Sequence, residues 1–291
     1  MAGLQDIRRR IRSVKNTQQV TKAMKMISAV KLRKSQERLL ALRPYATRMA
    51  DLVGSVVSRF QAGPRPIDSP IVQAFLAPRE ERRIRLVLVA SDKGLCGGFN
   101  SNVLKQAAQF ITECPAESLY LEMVGKRAVE WARKRKLKAD REHLGVPLAG
   151  LADLAQGIAE EAAAQYERGE IDALYVIYNY FSSALTQTPT VSRVFPMPLP
   201  AAETAPREVP HLLEPNPEAV LSALLPRFIE TSLLHALLES SASEHGARMA
   251  AMDKASTNAE DMIARLTLNM NKIRQASITN QIIEIVSGAN A

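Results

Sequence analysis

The sequence predicts an α+β protein, in which long N- and C-terminal helices form an antiparallel coiled coil and an α/β domain is inserted between them. Helix-forming residues dominate both ends of the 291-residue chain, strands alternate with helices in the middle, and a proline-rich stretch separates the middle from each end. We therefore predict three segments, the N-terminal helix at 1–60, the inserted domain at 79–200 and the C-terminal helix at 215–291.

The N-terminal helix is predicted from Leu4 to about Phe60, because only Pro44 and Gly54 interrupt its helix-forming residues. Pro44 is the expected site of a bend. Apolar and small residues recur every three or four positions in a narrow stripe, at Ile7, Ile11, Val14, Thr17, Thr21, Met24 and Ile27. A basic face beside this stripe consists of Arg8, Arg12, Lys15 and Lys22.

The C-terminal helix is predicted from Glu218 to Val286, with interruptions only at Pro226 and Gly246. Part of it has a strict heptad pattern, at Met249, Met252, Ser256, Ala259, Ile263, Leu266, Met270 and Ile273. Alternating steps of three and four residues are typical of a left-handed coiled coil.

The two terminal helices are expected to pair with each other. At about 1.5 Å per residue they span roughly 85 and 100 Å, which is longer than a globular domain needs. An isolated amphipathic helix of this length cannot bury its stripe, and the two stripes lie at opposite ends of the sequence. Heptads do not identify their partner, so two separately dimerising helices remain an alternative.

The middle of the chain predicts an inserted Rossmann-like α/β domain with a parallel or mixed sheet. Strands are predicted at Ile84–Ala90, Leu119–Val124 and Ala173–Phe181, a β-rich stretch at Thr190–Val194, and helices at Asn100–Ile111, Arg127–Arg135 and Leu151–Arg168. Asn100 is the expected N-cap of its helix. Gln61–Pro78 is predicted to be a linker, and Pro196–Pro217 a surface connection.

No residue pattern in the chain predicts a catalytic, cofactor or metal site. The turn SDKGLCGGFN, from Ser91 to Asn100, follows a strand and opens a helix, but it matches neither common phosphate-binding motif, so we interpret it as a structural turn. Cys96 and Cys114 make no disulfide framework, and Cys96 has no histidine near it in sequence. The four histidines have no metal-ligand spacing.

Positive charge is concentrated in the N-terminal helix. Residues 1–60 contain fourteen Lys or Arg and three Asp or Glu, whereas the whole chain carries a net charge of +8. Such a helix favours an acidic partner, which could be nucleic acid, anionic lipid or an acidic protein surface. The alternative function is a basic coiled-coil nucleic-acid-binding protein, but only Tyr45 and Phe60 could stack on bases in this region. A solvated charged face accounts for part of the excess.

The apolar runs are shorter than the roughly 20 residues of a transmembrane helix, so we expect no membrane insertion. The N-terminal residues lack the apolar core of a signal peptide, which favours a cytoplasmic location.

Three segments of the sequence resemble the gamma subunit family of F-type ATP synthases. They are the opening MAGLQDIRRRIRSVKNTQQVTKAMKMISAVKLRKSQERL, the turn SDKGLCGGFN and the ending KIRQASITNQIIEIVSGA. The segments lie at the start, middle and end of the chain, so the resemblance covers essentially all of it.

The resemblance implies a non-catalytic rotor shaft that couples rotation of the membrane c-ring to ATP synthesis or hydrolysis in the beta subunits. The implied partners are the alpha and beta subunits, the epsilon subunit and the c-ring of a proton-translocating complex. The implied location is peripheral, at the cytoplasmic face of the bacterial inner membrane. Residues matching family positions that face beta subunits are Met24, Arg274, Gln275, Thr279 and Glu284. No cysteine-containing regulatory insertion is visible near Pro196–Pro217, so thiol control is not expected.

The end of the C-terminal helix is predicted to have two different faces. One polar arc consists of Arg274, Ser277, Asn280, Gln281 and Glu284, and an apolar arc consists of Ile278, Ile282, Ile285 and Val286. The apolar arc lies beyond the heptad region, so it is expected to face a surrounding protein. The alternative is that these isoleucines continue the coiled-coil core.

Overall fold

The computed structural model describes residues 3–62, 80–196, 214 and 216–289. Helix α1 spans Leu4–Ala62 and helix α5 spans Pro217–Ala289, with 59 and 73 residues. Both predicted terminal helices are confirmed, and each contains its proline, Pro44 or Pro226. Gln61 belongs to α1 and Pro217 to α5. Most of the predicted linker and surface connection lies outside the described residues.

Between these helices the chain forms an α/β domain. Its elements are β1 (Arg83–Val89), α2 (Phe99–Glu113), β2 (Ser118–Val124), α3 (Lys126–Lys134), β3 (Arg141–His143), a 3₁₀ turn (Leu148–Gly150), α4 (Leu151–Glu167), β4 (Ala173–Phe181) and β5 (Gln187–Phe195). The strand order is β3-β2-β1-β4-β5. Strands β1 to β4 pair in parallel and β5 is antiparallel to β4, which confirms the expected mixed sheet. Strand β3 was not predicted, because its sequence REH has no apolar pattern.

Helices cover both faces of the sheet. On one face, Leu86 and Leu88 of β1 pack against α2 and α3 through Val103 and Val129. On the other face, Val87 and its neighbours belong to a second core that includes residues of α4, α1 and α5, such as Ile158, Val53 and Leu225. Alternating side chains of a strand point to opposite faces, which explains why the apolar run of β1 is buried throughout.

The prediction that Asn100 caps helix α2 is wrong. The N-cap is Gly98, and Asn100 lies inside the first turn of the helix. The Asn100 side-chain oxygen instead accepts hydrogen bonds from the Ser91 backbone N–H at 3.1 Å and the Ser91 hydroxyl at 2.9 Å. The amide is therefore used to close the turn after β1 and is not available to the helix terminus.

Helices α1 and α5 run antiparallel where they pack beside the sheet. Ser35 Oγ lies 3.1 Å from Ser241 Oγ, and further along α1 the residues Ala46–Asp51 line one cavity with Phe228–His235. Residue numbers thus rise on one helix as they fall on the other. This pairing within one chain excludes the alternative of two separately dimerising helices.

Packing divides the chain into two compact units, Met1–Ala29 with Arg248–Ala291, and Val30–Ala247. The first unit contains the ends of α1 and α5, and the second contains the sheet with the remaining parts of both helices. The domain boundaries at 60, 79, 200 and 215 stay a prediction.

Candidate partner-binding surfaces

The seam of α1 in the first unit follows a heptad pattern that differs in part from the predicted stripe. Buried or half-buried positions are Leu4, Ile7, Ile11, Val14, Gln18, Thr21, Met24, Lys25, Ser28 and Ala29. Thr17 is exposed and Ile27 is 58% exposed, so these two predicted members are wrong. A seam with a 3.5-residue period passes through Gln18 and Ser28, and choosing positions by hydrophobicity alone missed these polar members.

The predicted heptad of α5 is confirmed. All eight positions from Met249 to Ile273 are buried or half-buried, and Met252 and Ala259 are among the buried ones. The pattern ends at Ile273, because every residue from Arg274 to Gly288 is exposed.

One ion pair sets the register of the two helices in this unit. Lys25 Nζ lies 2.5 Å from Asp253 Oδ1. An antiparallel register through this pair places Ile7 at the level of Met270 and Asn271, and Leu4, where α1 begins, at the level of Ile273 and Arg274. The part of α5 after Ile273 therefore extends past the start of α1.

The end of α5 has an exposed apolar row. Its members are Ile278, Ile282, Ile283, Ile285 and Val286, with exposures of 47%, 55%, 56%, 72% and 54%. The alternative that these isoleucines continue the coiled-coil core is wrong for this structure, since no α1 residue lies beside them in this register. A row of exposed large aliphatic side chains on one helix end is a surface suited to a protein partner.

The nine candidate partner-binding residues form two groups. Arg8, Arg12, Lys15 and Lys22 are exposed and Met24 is half-buried, while Arg274, Gln275, Thr279 and Glu284 are exposed on α5. Thr279 Oγ donates to the Gln275 carbonyl at 2.9 Å. Met24 adjoins Lys25, whose partner Asp253 precedes Arg274 by 21 residues, or about 30 Å of helix. The structure does not bring Met24 and Arg274 together.

The turn after β1 binds protein groups where related folds bind phosphate. Asp92 accepts hydrogen bonds from the Lys126 N–H at 3.0 Å, at the start of α3, and from the Gly145 N–H at 3.1 Å. Gly125 has a φ of +91°, and a Cβ there would lie 2.1 Å from the Ala90 carbonyl oxygen. The carboxylate and the close backbone approach support the interpretation of a structural turn.

A buried charge network in the α/β domain was missed by sequence reasoning. Arg85 has no exposed side-chain surface and donates to Glu122 at 2.7 Å, to Glu161 at 2.9 Å and to Gln165 at 2.7 Å. Burial raises the pKa of Glu122, but hydrogen bonds from His143 and Arg85 and the Arg85 charge outweigh burial and hold this pKa below its usual value. The sequence contained one sign of this network: Arg85 is the only charged residue in the apolar run IRLVLVA at 84–90.

The described ranges contain no cluster of potential metal ligands, and both cysteines are free thiols. No group of three His, Cys, Asp or Glu side chains there could hold a metal ion. Cys96 is buried, Cys114 is half-buried, and both are free thiols.

By length and composition alone, helix α5 is long and apolar enough to cross a membrane. An 18-residue window within Ala219–Gly288 has a mean hydropathy of 1.3, and 39% of it is buried inside the protein. The core helix of a soluble protein can have the same length and composition, so this property is weak evidence for a membrane span.

Long N- and C-terminal helices that pair antiparallel, with a doubly wound α/β domain between them in sequence, define the class of fold. The chain belongs to the ATP synthase gamma chain family. The profile of the ATP synthase family matches residues 3–291. The ATP synthase gamma chains of Solibacter usitatus and Pelotomaculum thermopropionicum are 46% and 43% identical to it, and each alignment covers 100% of this chain and 99% of the relative.

Solved structures of similar fold come from mitochondrial ATP synthases. A chain of the central stalk and c-ring structure from Tetrahymena thermophila is 27% identical, with a TM-score of 0.56 over 81% of this chain and 99% of that one. A chain of the Euglena gracilis enzyme has a TM-score of 0.64 over 99% of this chain and 94% of that one, and at 17% identity it supports the fold alone. Neither the relatives nor the fold supports the nucleic-acid alternative.

Proposed function

We propose that the chain is the central rotor shaft of a bacterial F-type ATP synthase and contributes no catalytic residue of its own. The observation that carries this proposal is the end of α5, a continuous helix from Arg274 to Ala289 whose apolar row is exposed. Burying such side chains is worth about 1.5–3 kcal/mol each, so a surrounding protein would bind this end tightly. The candidate residues give the shaft one binding surface on α1, which includes Met24, and a second one at the end of α5, which includes Arg274.

The proposed partners are the alpha and beta subunits around the coiled coil, the epsilon subunit, and the membrane c-ring. Family membership and the likeness to the Tetrahymena thermophila central stalk support this set. Proton transport and a peripheral position at the cytoplasmic face of the bacterial inner membrane are part of the same proposal. The basic face of α1 is expected to lie against acidic loops of beta subunits.

The mechanism is rigid-body rotation of an asymmetric shaft. A shaft with equal affinity for every beta conformation would shift none of them, so coupling needs surfaces that differ around the helix. The polar arc that contains Arg274 and Glu284 and the apolar row that contains Ile282 and Ile285 provide such a difference. As the shaft turns, each beta subunit meets these surfaces in sequence and changes conformation.

The experiment is a rotation assay on the assembled complex. The variant Leu185→Cys places one reactive thiol on the α/β domain, where Leu185 is 76% exposed, in a chain whose two native cysteines are replaced by Ser. A bead attached there is expected to turn in one direction when ATP is added to a complex that contains alpha and beta subunits. Failure to co-purify with these subunits, or ATP hydrolysis without bead rotation, would contradict the proposal.

A further inference from the structure

Helix α5 occupies the place in the α/β domain where doubly wound sheets bind their ligands. In such sheets the ligand crevice lies at the carboxyl ends of the strands, where the strand order reverses. Here that point lies between β1 and β4, since β1 pairs with β2 on one side and β4 on the other. Ala247 of α5 forms a buried cluster there with Cys96 and Phe99 from the turn after β1.

The end of β4 beyond its pairing with β1 is completed by side chains of α5. Pairing of β4 with β1 ends at Ile177, so later backbone groups on that strand have no β1 partner. The Ser243 hydroxyl donates to the Asn179 carbonyl at 2.9 Å, and the Phe181 N–H donates to Glu239 Oε2 at 2.9 Å. Two side chains one turn apart on α5 therefore take over hydrogen bonds that a neighbouring strand would provide.

Glu239 is costly to bury, which argues that it has a specific role. Its side chain has no exposed surface, and Oε1 has no hydrogen-bond partner, with His235 Nε2 3.4 Å away. A buried carboxylate with a single backbone donor is less favourable than an apolar side chain unless the contact itself is needed. The contact joins β4 to α5.

Gly246 allows close approach at the same place. A Cβ at this position would lie 3.0 Å from the Phe181 ring and 3.2 Å from the Ala184 Cα. The connection between β4 and β5 therefore rests directly on the α5 backbone, next to the Glu239 contact.

We propose that Glu239, with Ser243, is a positioning residue that fastens the α/β domain to helix α5, so that the two turn as one body when torque passes between them. This inference rests on the proposed rotor function. The crevice that holds a ligand in other doubly wound proteins holds the shaft helix in this one. The apolar core that the sheet shares with α5 holds the domain against the helix, and this polar contact fixes the position of the end of β4 along it. Weakening the contact allows that end of the domain to shift under torque, while the far end of α5 keeps its surface for the catalytic ring.

The test compares two activities of the assembled, membrane-bound complex that contains the variant Glu239→Ala. ATP hydrolysis is expected to stay near the wild-type rate, while proton pumping per ATP falls about threefold or more because the Phe181 N–H loses its acceptor. Glu239→Gln keeps an acceptor oxygen and is expected to retain coupling. The control Glu260→Ala removes an exposed carboxylate from the same helix and should change neither activity.

A reversible crosslink separates slippage from misfolding. An ideal Cβ at Gly246 lies 3.8 Å from the Ala184 Cβ, which is the usual Cβ separation in a disulfide. In the Cys96→Ser, Cys114→Ser background, Ala184→Cys and Gly246→Cys are oxidised in the Glu239→Ala complex by an added thiol oxidant. Because a Cβ at Gly246 also lies 3.0 Å from the Phe181 ring, the reduced Ala184→Cys, Gly246→Cys variant with Glu239 intact is the control, and it must pump like the wild type. With that control met, the bond is expected to restore pumping in the Glu239→Ala complex, and dithiothreitol is expected to abolish the rescue.

Each result bears on the inference separately from the rotor function. Equal pumping per ATP in Glu239→Ala and wild type would overturn the inference while leaving a functional wild-type rotor. A parallel loss of hydrolysis and pumping that the disulfide does not repair would also overturn it. If Glu239→Ala fails to assemble, Ser243→Ala is the milder variant, and unchanged coupling in it would count against the inference. Failure of the rotor function itself would appear in the wild-type complex.

Discussion

The α/β domain buries charged groups, whereas the end of α5 exposes apolar ones. In the domain, the side chains of Arg85 and Glu122 are 0% and 1% exposed. In the last turns of α5, Ile285 is 72% exposed. Each region reverses the usual rule that apolar residues lie inside and charged residues outside.

The difference is whether the partner is in the same chain. Arg85 is stabilised by Glu122, Glu161 and Gln165, all from the α/β domain. Ile285 and its neighbours have no comparable contact within the described chain, because α1 begins at Leu4 and its seam ends beside Ile273. The charged network is therefore satisfied within the α/β domain, whereas we propose that a partner subunit covers the end of α5. Mutations should accordingly reduce folding in the first region and activity in the second.

The largest effect is expected for Arg85→Met. This change leaves the buried Glu122 without its arginine, and breaking one side of a buried ion pair costs about 3–5 kcal/mol. Urea unfolding followed by the fluorescence of Trp131, the single tryptophan, which packs in the same domain, measures the loss. The matched control is Arg168→Met, which removes an exposed ion pair with Glu170 and should leave the midpoint unchanged.

A second substitution sharpens this result. Arg85→Met combined with Glu122→Met removes both charges, and it is expected to recover much of the stability, since an apolar pair can replace a buried ion pair. The wild-type network is also sensitive to acid. The folded-state pKa of Glu122 lies below 4.5, so its stabilisation is present above that pH and is lost as the pH falls through the folded value. If Arg85→Met alone is as stable as the wild type, the Arg85–Glu122 network does not stabilise the fold.

The next effect concerns Arg274 and Gln275, at the point where the α5 seam ends. Replacing both with Ala is expected to slow multi-site ATP hydrolysis in the assembled complex about ten- to a hundredfold, if Arg274 makes a charge-assisted hydrogen bond that favours one beta conformation. Single-site nucleotide binding should stay near wild type. The competing interpretation makes Arg274 a solvated charge that stabilises the helix terminus. Wild-type turnover with a lower melting temperature would support that interpretation.

Much of the fold could be predicted because each element has its own periodic signal. The heptad from Met249 to Ile273 and the apolar run of β1 were readable directly. Strand β3 was missed because an edge strand of three polar residues has no pattern, and its place depends on pairing with β2. Asn100 was misassigned because its amide had two possible uses, and only the position of Ser91 decides between them.

The candidate binding surfaces could be predicted only in outline. Basic residues and isoleucines at the right spacing indicated exposed surfaces, but Thr17 and Ile27 were placed on the wrong face of α1. Contacts between distant segments, such as Phe181 with Glu239, have no local signal at all. A long-range hydrogen bond depends on how two elements dock, and the sequence near either residue does not specify that.

A smaller, salt-dependent effect is expected for the basic face. Replacing Arg8, Arg12, Lys15 and Lys22 with Gln should weaken coupling more at low than at high ionic strength, because salt screens exposed charges over about 10 Å at 0.1 M. These side chains are exposed on α1, so the melting temperature should hardly change. The measurement is the ratio of proton pumping to ATP hydrolysis across a salt series. A loss of equal size at every salt concentration would mean that packing, and not charge, makes this contact.

The smallest effect is expected for the thiols. Cys96 is buried, and its sulfur accepts a hydrogen bond from Asn100 Nδ2 at 3.1 Å, a contact that a serine hydroxyl can also make. Cys114 ends helix α2 and is only half-buried. The double variant Cys96→Ser, Cys114→Ser is expected to keep wild-type ATP synthesis, and dithiothreitol is expected to change neither protein, because both cysteines are free thiols and there is no disulfide to reduce. The measurement is the ATPase rate of the assembled complex with and without reductant. A dithiothreitol-dependent rate in the wild type that disappears in the double variant would contradict this prediction and reveal a redox function in the α/β domain.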